Sequence, residues 1–141
     1  MNKAEVNEML PKAYELLKKH NIVKNNKINK SWYGQISVFG SAISTGSLLS
    51  AIAFFSDNGS CSVDRQNLLR VIFDLIKDDF IIDNNPPKKL FDLARINMGE
   101  NELMVKESII NATIATKLAM KLYELTDEKA WYYEWKNNIQ F

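Results

Sequence analysis

The sequence predicts an all-α fold, in which a single domain of 141 residues forms a bundle of about six or seven helices. Apolar residues recur three or four positions apart in one segment after another, and no segment shows a convincing strand alternation. Clusters of Gly, Pro and Asn separate these segments. A hydrophobic content of 46% argues against disorder. We expect a helical core over about 30–125 and a C-terminal aromatic helix over 126–141.

A helical hairpin over 32–57 is the element around which the rest of the chain is expected to pack. Four bulky apolar residues define the buried face of its first helix: Trp32, Ile36, Phe39 and Ile43. The opposite face has almost no side-chain bulk: Gly34, Ser37, Ser41 and Ser44. Such a face lets the backbone of a protein or a nucleic acid approach, and ordinary tight helix packing is the simpler interpretation. The second helix is apolar nearly all round, which predicts a position at the centre of the core.

The segment before this hairpin combines a predicted helix with a basic loop. Asn2 is a good N-cap, and the helix is expected to end near His20. Residues 21–30, NIVKNNKINK, have turn composition and no helical period, which predicts a mobile loop. Five lysines of this region form the densest positive stretch of the sequence: Lys18, Lys19, Lys24, Lys27 and Lys30. Such a stretch favours a contact with the phosphate backbone of a nucleic acid over recognition of its bases.

Two further helices are expected before residue 100. The first spans about 62–77, so Asp78 and Asp79 fall at its C-terminal end, where the helix dipole disfavours anions. A basic neighbour would relieve this, which makes the two aspartates candidates for a subunit interface. The segment 84–87, Asn-Asn-Pro-Pro, then breaks the chain, and a short helix closed by Gly99 follows.

The longest helix is expected to run from about Glu100 to Leu125. Six apolar residues with 3–4 spacing form a stripe that we expect to face the core: Leu103, Ile110, Ile114, Leu118, Leu122 and Leu125. Lys117 and Lys121 face elsewhere, one turn apart, and complete the set of candidate RNA-binding residues. A solvated helix face is the simpler interpretation of this pair.

Aromatic residues supply the remaining interface candidates. Thr126 is a good N-cap for a final helix, in which four aromatics within five positions cannot all point inward. Some of them should cover another element or a partner. Three of these aromatics are candidate interface residues: Trp131, Tyr132 and Trp135. A second pair, Trp32 and Tyr33 near Lys30, completes the set. Packing in the core is the default interpretation for each of the five.

Charge is distributed unevenly along the chain. Residues 1–56 hold seven lysines and three acidic residues, whereas residues 57–85 hold six acidic and three basic residues. If these segments fold onto opposite ends, the molecule can stack head to tail with copies of itself or turn its basic end to phosphate. If folding mixes the charges, no such dipole survives.

The sequence has few of the residues that catalysis or metal binding would need. Its one histidine, His20, lies beside lysines, and its one cysteine, Cys61, has no evident base. No CxxC, HxxE or glycine-rich phosphate motif occurs. We therefore expect a protein that is not an enzyme and needs no cofactor or metal. With no secretory signal and no apolar run of ~20 residues, it is expected in the cytoplasm without a membrane partner.

One motif in the hairpin resembles a known family. The order Tyr33, Ile43, Gly46, Leu48 and Ala53-Phe54 is similar to the signature hairpin of the Cmr-type small subunit of type III-B CRISPR–Cas effector complexes. The segment with Ala112-Thr113, Leu118 and Leu122 is similar to the final core helix of that family, so the resemblance covers about 30–125.

The hairpin departs from the family pattern at three positions. Gly40 stands where the family has a proline, Ser47 interrupts its glycine-leucine pair, and Ser44 replaces a frequent basic residue. A phosphate contact at that turn therefore does not carry over to this chain.

The resemblance implies a small, non-catalytic helical subunit. Several copies would stack head to tail as an inner filament beside the crRNA-bearing backbone, brace a Cas10-type large subunit and help hold target RNA. The equivalent subunit of the type III-A complex is the nearest alternative. A helical interaction or adaptor module that recognises a protein through Trp131–Trp135, unrelated to RNA, is an alternative from a different class.

Overall fold

Most of the chain is helical in the computed structural model, which describes residues 1–57, 64–80 and 85–126. The prediction of an all-α bundle of about six or seven helices is confirmed, with six α-helices among the described residues. The elements of the described residues follow in chain order: α1 (Lys3–Lys19), β1 (Val23–Lys24), β2 (Lys27–Asn29), α2 (Lys30–Thr45), α3 (Leu48–Phe55), α4 (Arg65–Ile76), a 3₁₀ turn (Lys77–Phe80), α5 (Leu90–Ile96), α6 (Glu102–Met120) and β3 (Glu124–Thr126).

Helix α6 lies inside the bundle, with α1, α2 and α4 packed against it. Much of its inner face consists of short, fully buried side chains: Ala112, Ala115, Thr116 and Ala119. The Thr113 and Thr116 hydroxyls donate to carbonyl oxygens one turn earlier, both at 2.7 Å, so these buried donors are satisfied within the helix. Short side chains allow the three neighbouring helices to approach α6 closely.

The stripe predicted to face the core along α6 lies mostly on its outer side, although Ile110 and Ile114 still pack against the core. Leu103, Leu118 and Leu122 are 66%, 39% and 63% exposed, respectively. Ile110 and Ile114 are half-buried. The prediction was wrong because spacing identifies an apolar stripe but does not decide which of two faces is buried. A helix with three close neighbours buries its small-residue face, and Leu103 and Leu118 on the opposite side then point outward.

The predicted buried face of α2 is confirmed, since all four of its bulky apolar residues are buried. Phe39 packs edge-on against Phe55 of α3, with ring centroids 5.1 Å apart. In α3 itself, Ala53 and Phe54 are exposed, so the prediction of a helix at the centre of the core was wrong. With eight residues, α3 makes only about two turns and covers one side of the core.

Residues 21–30 contain an ordered β-hairpin rather than the predicted mobile loop. Strands β1 and β2 are antiparallel, with Lys24 opposite Lys27. The two residues between the strands both have positive φ, 55° at Asn25 and 60° at Asn26. Asn tolerates this left-handed conformation better than most residues, and a two-residue loop with positive φ at both positions is the I′-type hairpin turn. The Asn-Asn pair was therefore the sequence signal for this hairpin.

Strand β3 joins the end of α6 to the hairpin. It pairs in parallel with β2, in a register that places Lys27 opposite Glu124 and Ile28 opposite Leu125. Leu125 therefore belongs to a strand, and α6 ends earlier than predicted, at Met120. The pairing connects segments almost a hundred residues apart in sequence, which local patterns do not reveal.

We expect Asn26→Gly to raise the free energy of unfolding by about 0.5 kcal/mol, because Gly adopts positive φ without steric cost. Asn26→Val should lower it by about 1–2 kcal/mol, since a β-branched residue is strained there. Urea unfolding followed by circular dichroism measures both changes. Asn7, exposed within α1, is the matched control, because Gly should destabilise a helix interior. A stabilising effect of Gly at both positions would contradict the turn assignment.

Candidate nucleic-acid interface

The chain topology brings all seven candidate RNA-binding lysines towards one end of the bundle. Helix α1 ends at Lys19, the hairpin with Lys24 and Lys27 follows, and α2 begins at Lys30. The parallel pairing of β2 with β3 brings the end of α6 to the same place. Lys117 lies in the last turn of α6, and Lys121 follows as its C-cap residue.

Two of these lysines lie near the ring of Tyr33, and a third is one turn away on the same helix. The Nζ atoms of Lys117 and Lys121 lie 5.2 Å and 5.9 Å from the centroid of the Tyr33 ring. Lys30 precedes Tyr33 by one turn on the same side of α2. We call these four residues the Tyr33 cluster. Neighbouring like charges repel each other, so an anion bound among them would relieve the repulsion.

A groove of about 330 Å³ runs between α2 and α6 and shares Lys117 with the Tyr33 cluster. Small residues form its α2 wall: Ser37, Gly40, Ser41, Ser44 and Thr45. A Cβ atom on Gly40 would lie 3.4 Å from Thr113 Cγ2, so the two helices pack closely at that point. A Cβ atom on Gly34 would meet nothing within 4 Å. The face of α2 with small side chains therefore packs tightly against α6 at Gly40 and is open at Gly34.

The two hairpin lysines have different surroundings. Lys24 and Lys27 occupy directly opposed positions, where like charges are destabilising. On its other side Lys27 lies opposite Glu124, and it is half-buried. Lys24 is exposed. Lys24 is therefore the hairpin residue better placed to meet an external anion.

Lys18 and Lys19 of the basic stretch each lie beside an acidic side chain. Lys18 Nζ is 3.9 Å from Glu15 Oε1. Lys19 Nζ is 3.7 Å from Asp74 Oδ2. Both lysines are therefore partly neutralised within the chain, and they are weaker candidates for phosphate contacts than the Tyr33 cluster.

Asp74 of α4 interacts with two further groups. His20 Nε2 is 2.7 Å from Asp74 Oδ2, and Lys77 Nζ is 3.3 Å from Asp74 Oδ1. Partial burial raises the pKa of Asp74, but the hydrogen bonds to His20 and Lys77 and their positive charge outweigh it and leave the pKa below its ordinary value. An acidic residue of the segment 57–85 thus contacts the basic segment 1–56. At this end of the bundle the charges of the two segments are therefore mixed, which is the second of the two alternatives.

Asp74→Asn should lower the free energy of unfolding by about 1–2 kcal/mol at pH 7. A carboxyl whose pKa is lowered by folding stabilises the protein above its unfolded pKa, and this stabilisation is lost as the pH falls through the folded pKa. The difference from the parent protein should therefore shrink below about pH 4. Urea unfolding at several pH values measures it, with the exposed Asp79→Asn as control. An effect of Asp74→Asn that is independent of pH would contradict this account.

The predicted interface residues have different positions. Trp32 is only 7% exposed and is a core residue, so its prediction as an interface residue was wrong. Its indole is buried with the other bulky residues on the inner face of α2. Asp78 and Asp79 are exposed in the 3₁₀ turn after α4, and the basic contacts expected near that helix end involve Asp74 instead. The remaining three candidates lie outside the described residues: Trp131, Tyr132 and Trp135.

A second basic surface, which no sequence motif singled out, lies between α3, α4 and α5. It is a cleft of about 400 Å³, here called the α4–α5 cleft. Arg70, Lys88 and Lys89 supply its positive charge, and no acidic residue is among the described residues that line it. Five of these described residues provide an apolar lining: Ala53, Leu69, Phe73, Leu90 and Phe91. The only trace of this cleft in the sequence was the pair Lys88-Lys89, directly after two prolines. That pair indicates a basic surface only once the fold places it beside Arg70 of α4.

Within residues 1–57, 64–80 and 85–126, no group of three or more His, Cys, Asp or Glu side chains could hold a metal ion. No helix in this part of the chain is long and apolar enough to cross a bilayer. No protein-family model, no curated protein and no solved structure matches the chain. An assignment of function therefore depends on the residues described above.

Proposed function

We propose that the protein is a non-catalytic small subunit of a type III-B (Cmr) CRISPR–Cas effector complex, in which it contacts the backbone of bound RNA. The Tyr33 cluster carries this proposal, because Lys117 and Lys121 at the end of α6 lie near the ring of Tyr33, with Lys30 one turn away on α2, beside a groove with small side chains. The resemblance of the α2–α3 hairpin to that family supports the kind of assembly. We expect the protein to act in the cytoplasm, with further copies of itself and the larger subunits as partners.

The arrangement of the cluster favours recognition of phosphate over recognition of bases. Lys117 and Lys121 lie four residues apart, about 6 Å along the helix, and can contact neighbouring phosphates of one strand. Stacking on a base would need an exposed ring, whereas Tyr33 is half-buried with two lysine side chains near its ring. Tyr33 therefore positions the lysines. Binding should follow the RNA backbone with little dependence on sequence.

The salt dependence of single-stranded RNA binding tests this proposal. Three to five lysine–phosphate contacts predict a slope of about −2 to −3.5 for the logarithm of the association constant against the logarithm of salt concentration. Fluorescence anisotropy with labelled RNAs of unrelated sequence measures the slope and the sequence preference. A slope near zero would contradict a phosphate contact, and a large preference for one sequence would contradict backbone recognition.

The α4–α5 cleft favours a second candidate function, that of a protein-interaction module. Its apolar lining and its three cations suit an acidic peptide with an apolar anchor residue. In that case, the protein should be recovered from cells with one protein partner and no RNA. Replacing Arg70, Lys88 and Lys89 by Gln should then abolish the association. Retention of that partner by the triple variant would exclude the cleft as its binding site.

A further inference from the structure

The outer face of α6 carries branched apolar side chains in a helix–helix contact pattern. Ile110, Ile114 and Leu118 follow one another at four-residue intervals, and Glu107 and Lys121 lie on the same face of the helix. Leu118 is 39% exposed, and the two isoleucines are half-buried. Ile110 and Ile114 also line the groove beside α2 and pack in part against the core. Contiguous apolar side chains that remain partly exposed in this way commonly mark a contact with another protein. We call these five residues the α6 outer stripe.

The α6 outer stripe is self-complementary about Ile114. Ile110 and Leu118 lie four positions on either side of Ile114, and both are apolar. Glu107 and Lys121 lie seven positions on either side, and they have opposite charges. Both charged residues are exposed. Two copies of such a stripe, laid antiparallel, place each residue opposite a suitable partner.

We propose that two copies of the chain associate through antiparallel α6 helices, with a two-fold axis at Ile114. Ile114 then contacts the same residue of the second copy, and Ile110 of each copy contacts Leu118 of the other. Glu107 of each copy pairs with Lys121 of the other at both ends of the contact. Such an isologous pair closes on itself, unlike head-to-tail stacking, in which two different surfaces meet.

The dimer does not depend on the proposed RNA contact, but the two compete for one residue. Lys121 belongs both to the α6 outer stripe and to the Tyr33 cluster. In the dimer its charge is neutralised by Glu107 of the second copy, so the dimer should bind RNA more weakly than the single chain. One helix pair buries less surface than a standard interface, and weak, concentration-dependent association is therefore expected.

Charge reversal tests the pairing by sedimentation equilibrium of the full chain without RNA. Glu107→Lys places lysine opposite lysine at both ends of the contact and should weaken dimerisation at least tenfold, and Lys121→Glu should do the same. The double variant Glu107→Lys/Lys121→Glu should restore the dimer. Glu8→Lys, at an exposed position on α1, is the matched control and should leave dimerisation unchanged. Failure of the double variant to restore the dimer would overturn the proposal.

Disulfide cross-linking tests the position of the axis in a Cys61→Ser background. Ile114→Cys should cross-link to itself. Ile110→Cys alone and Leu118→Cys alone should not, because eight residues separate these positions by about 12 Å along the helix, beyond disulfide reach. A mixture of the Ile110→Cys and Leu118→Cys proteins should cross-link. Self-linking at Ile110, or none at Ile114, would overturn the proposed register.

Sedimentation of the full chain also distinguishes the second copy from the other candidate occupant of the stripe, which is the chain's own segment 127–141. If the full chain dimerises with the predicted response to charge reversal, the second copy is the occupant. If the full chain stays monomeric at about 1 mM, the proposal is overturned.

Discussion

Replacing Lys30, Lys117 and Lys121 together by Gln is expected to weaken single-stranded RNA binding about 10- to 100-fold near 0.1 M salt. Glutamine keeps much of the side-chain length but removes the charge that displaces counterions from phosphate. The slope of the salt dependence should become less steep by about 2, because each lost contact contributes about 0.7. Anisotropy titrations at several salt concentrations measure both quantities, at protein concentrations below the dimerisation range.

A second triple variant controls for the loss of net charge. Lys3, Lys12 and Lys106 lie outside the Tyr33 cluster, on α1 and on the N-terminal half of α6, and their replacement by Gln removes the same total charge. This variant should retain RNA affinity within about threefold at that salt concentration. Equal losses in the two variants would show that binding follows overall charge, and the role given to the cluster would then be wrong.

Arg65→Leu is expected to lower the free energy of unfolding by about 2–4 kcal/mol. Arg65 is the first residue of α4 and is only 7% exposed. Its Nη2 atom donates to the carbonyl oxygens of Phe54, at 3.2 Å, and of Asp57, at the end of α3. Its guanidinium also lies 4.9 Å and 4.7 Å from the ring centroids of Phe54 and Phe55. Leucine would leave these carbonyl groups without that donor and weaken the attachment of α3 to α4.

Two further arginine variants sharpen this test in urea unfolding. Arg70→Leu removes an exposed arginine of the same helix that hydrogen-bonds to the side chains of Gln66 and Asn67, and it should cost less than about 1 kcal/mol. Arg65→Lys keeps the charge but loses the planar fork of donors, so we expect an intermediate cost. Similar losses for Arg65→Leu and Arg70→Leu would contradict the role assigned to Arg65.

The sequence pattern correctly predicted which face of a helix is buried where one face was clearly more apolar than the other. In α2, bulky residues recur on one side and glycine and serine on the other, so the pattern fixed both the helix and its orientation. The same reasoning failed for α6, which has two apolar faces. The buried one consists of alanine, threonine and a few larger residues, because three neighbouring helices leave little space there. Hydrophobicity scales rank leucine and isoleucine above alanine and threonine. Applied to α6, such a scale therefore selects the outer face as the buried one.

The composition of the candidate site was predictable, but its geometry was not. The lysines at residues 24–30 were evident as a basic stretch, and Lys117 and Lys121 as a pair on one helix. Their proximity depends on the parallel pairing of β2 with β3, in which Lys27 lies opposite Glu124. Strands of three residues provide too little alternation to be recognised. The neutralisation of Lys19 by Asp74 likewise depends on how α1 and α4 pack.

The most direct test of the central claim is to purify the tagged protein from the organism that encodes it and to analyse what accompanies it. We expect several larger proteins in fixed ratio, together with short RNAs of discrete lengths. The variant with Lys30, Lys117 and Lys121 replaced should retain the proteins but hold the RNA less tightly against salt. Recovery of the protein alone, or with a single protein and no RNA, would contradict its assignment as a subunit of an RNA-guided effector complex.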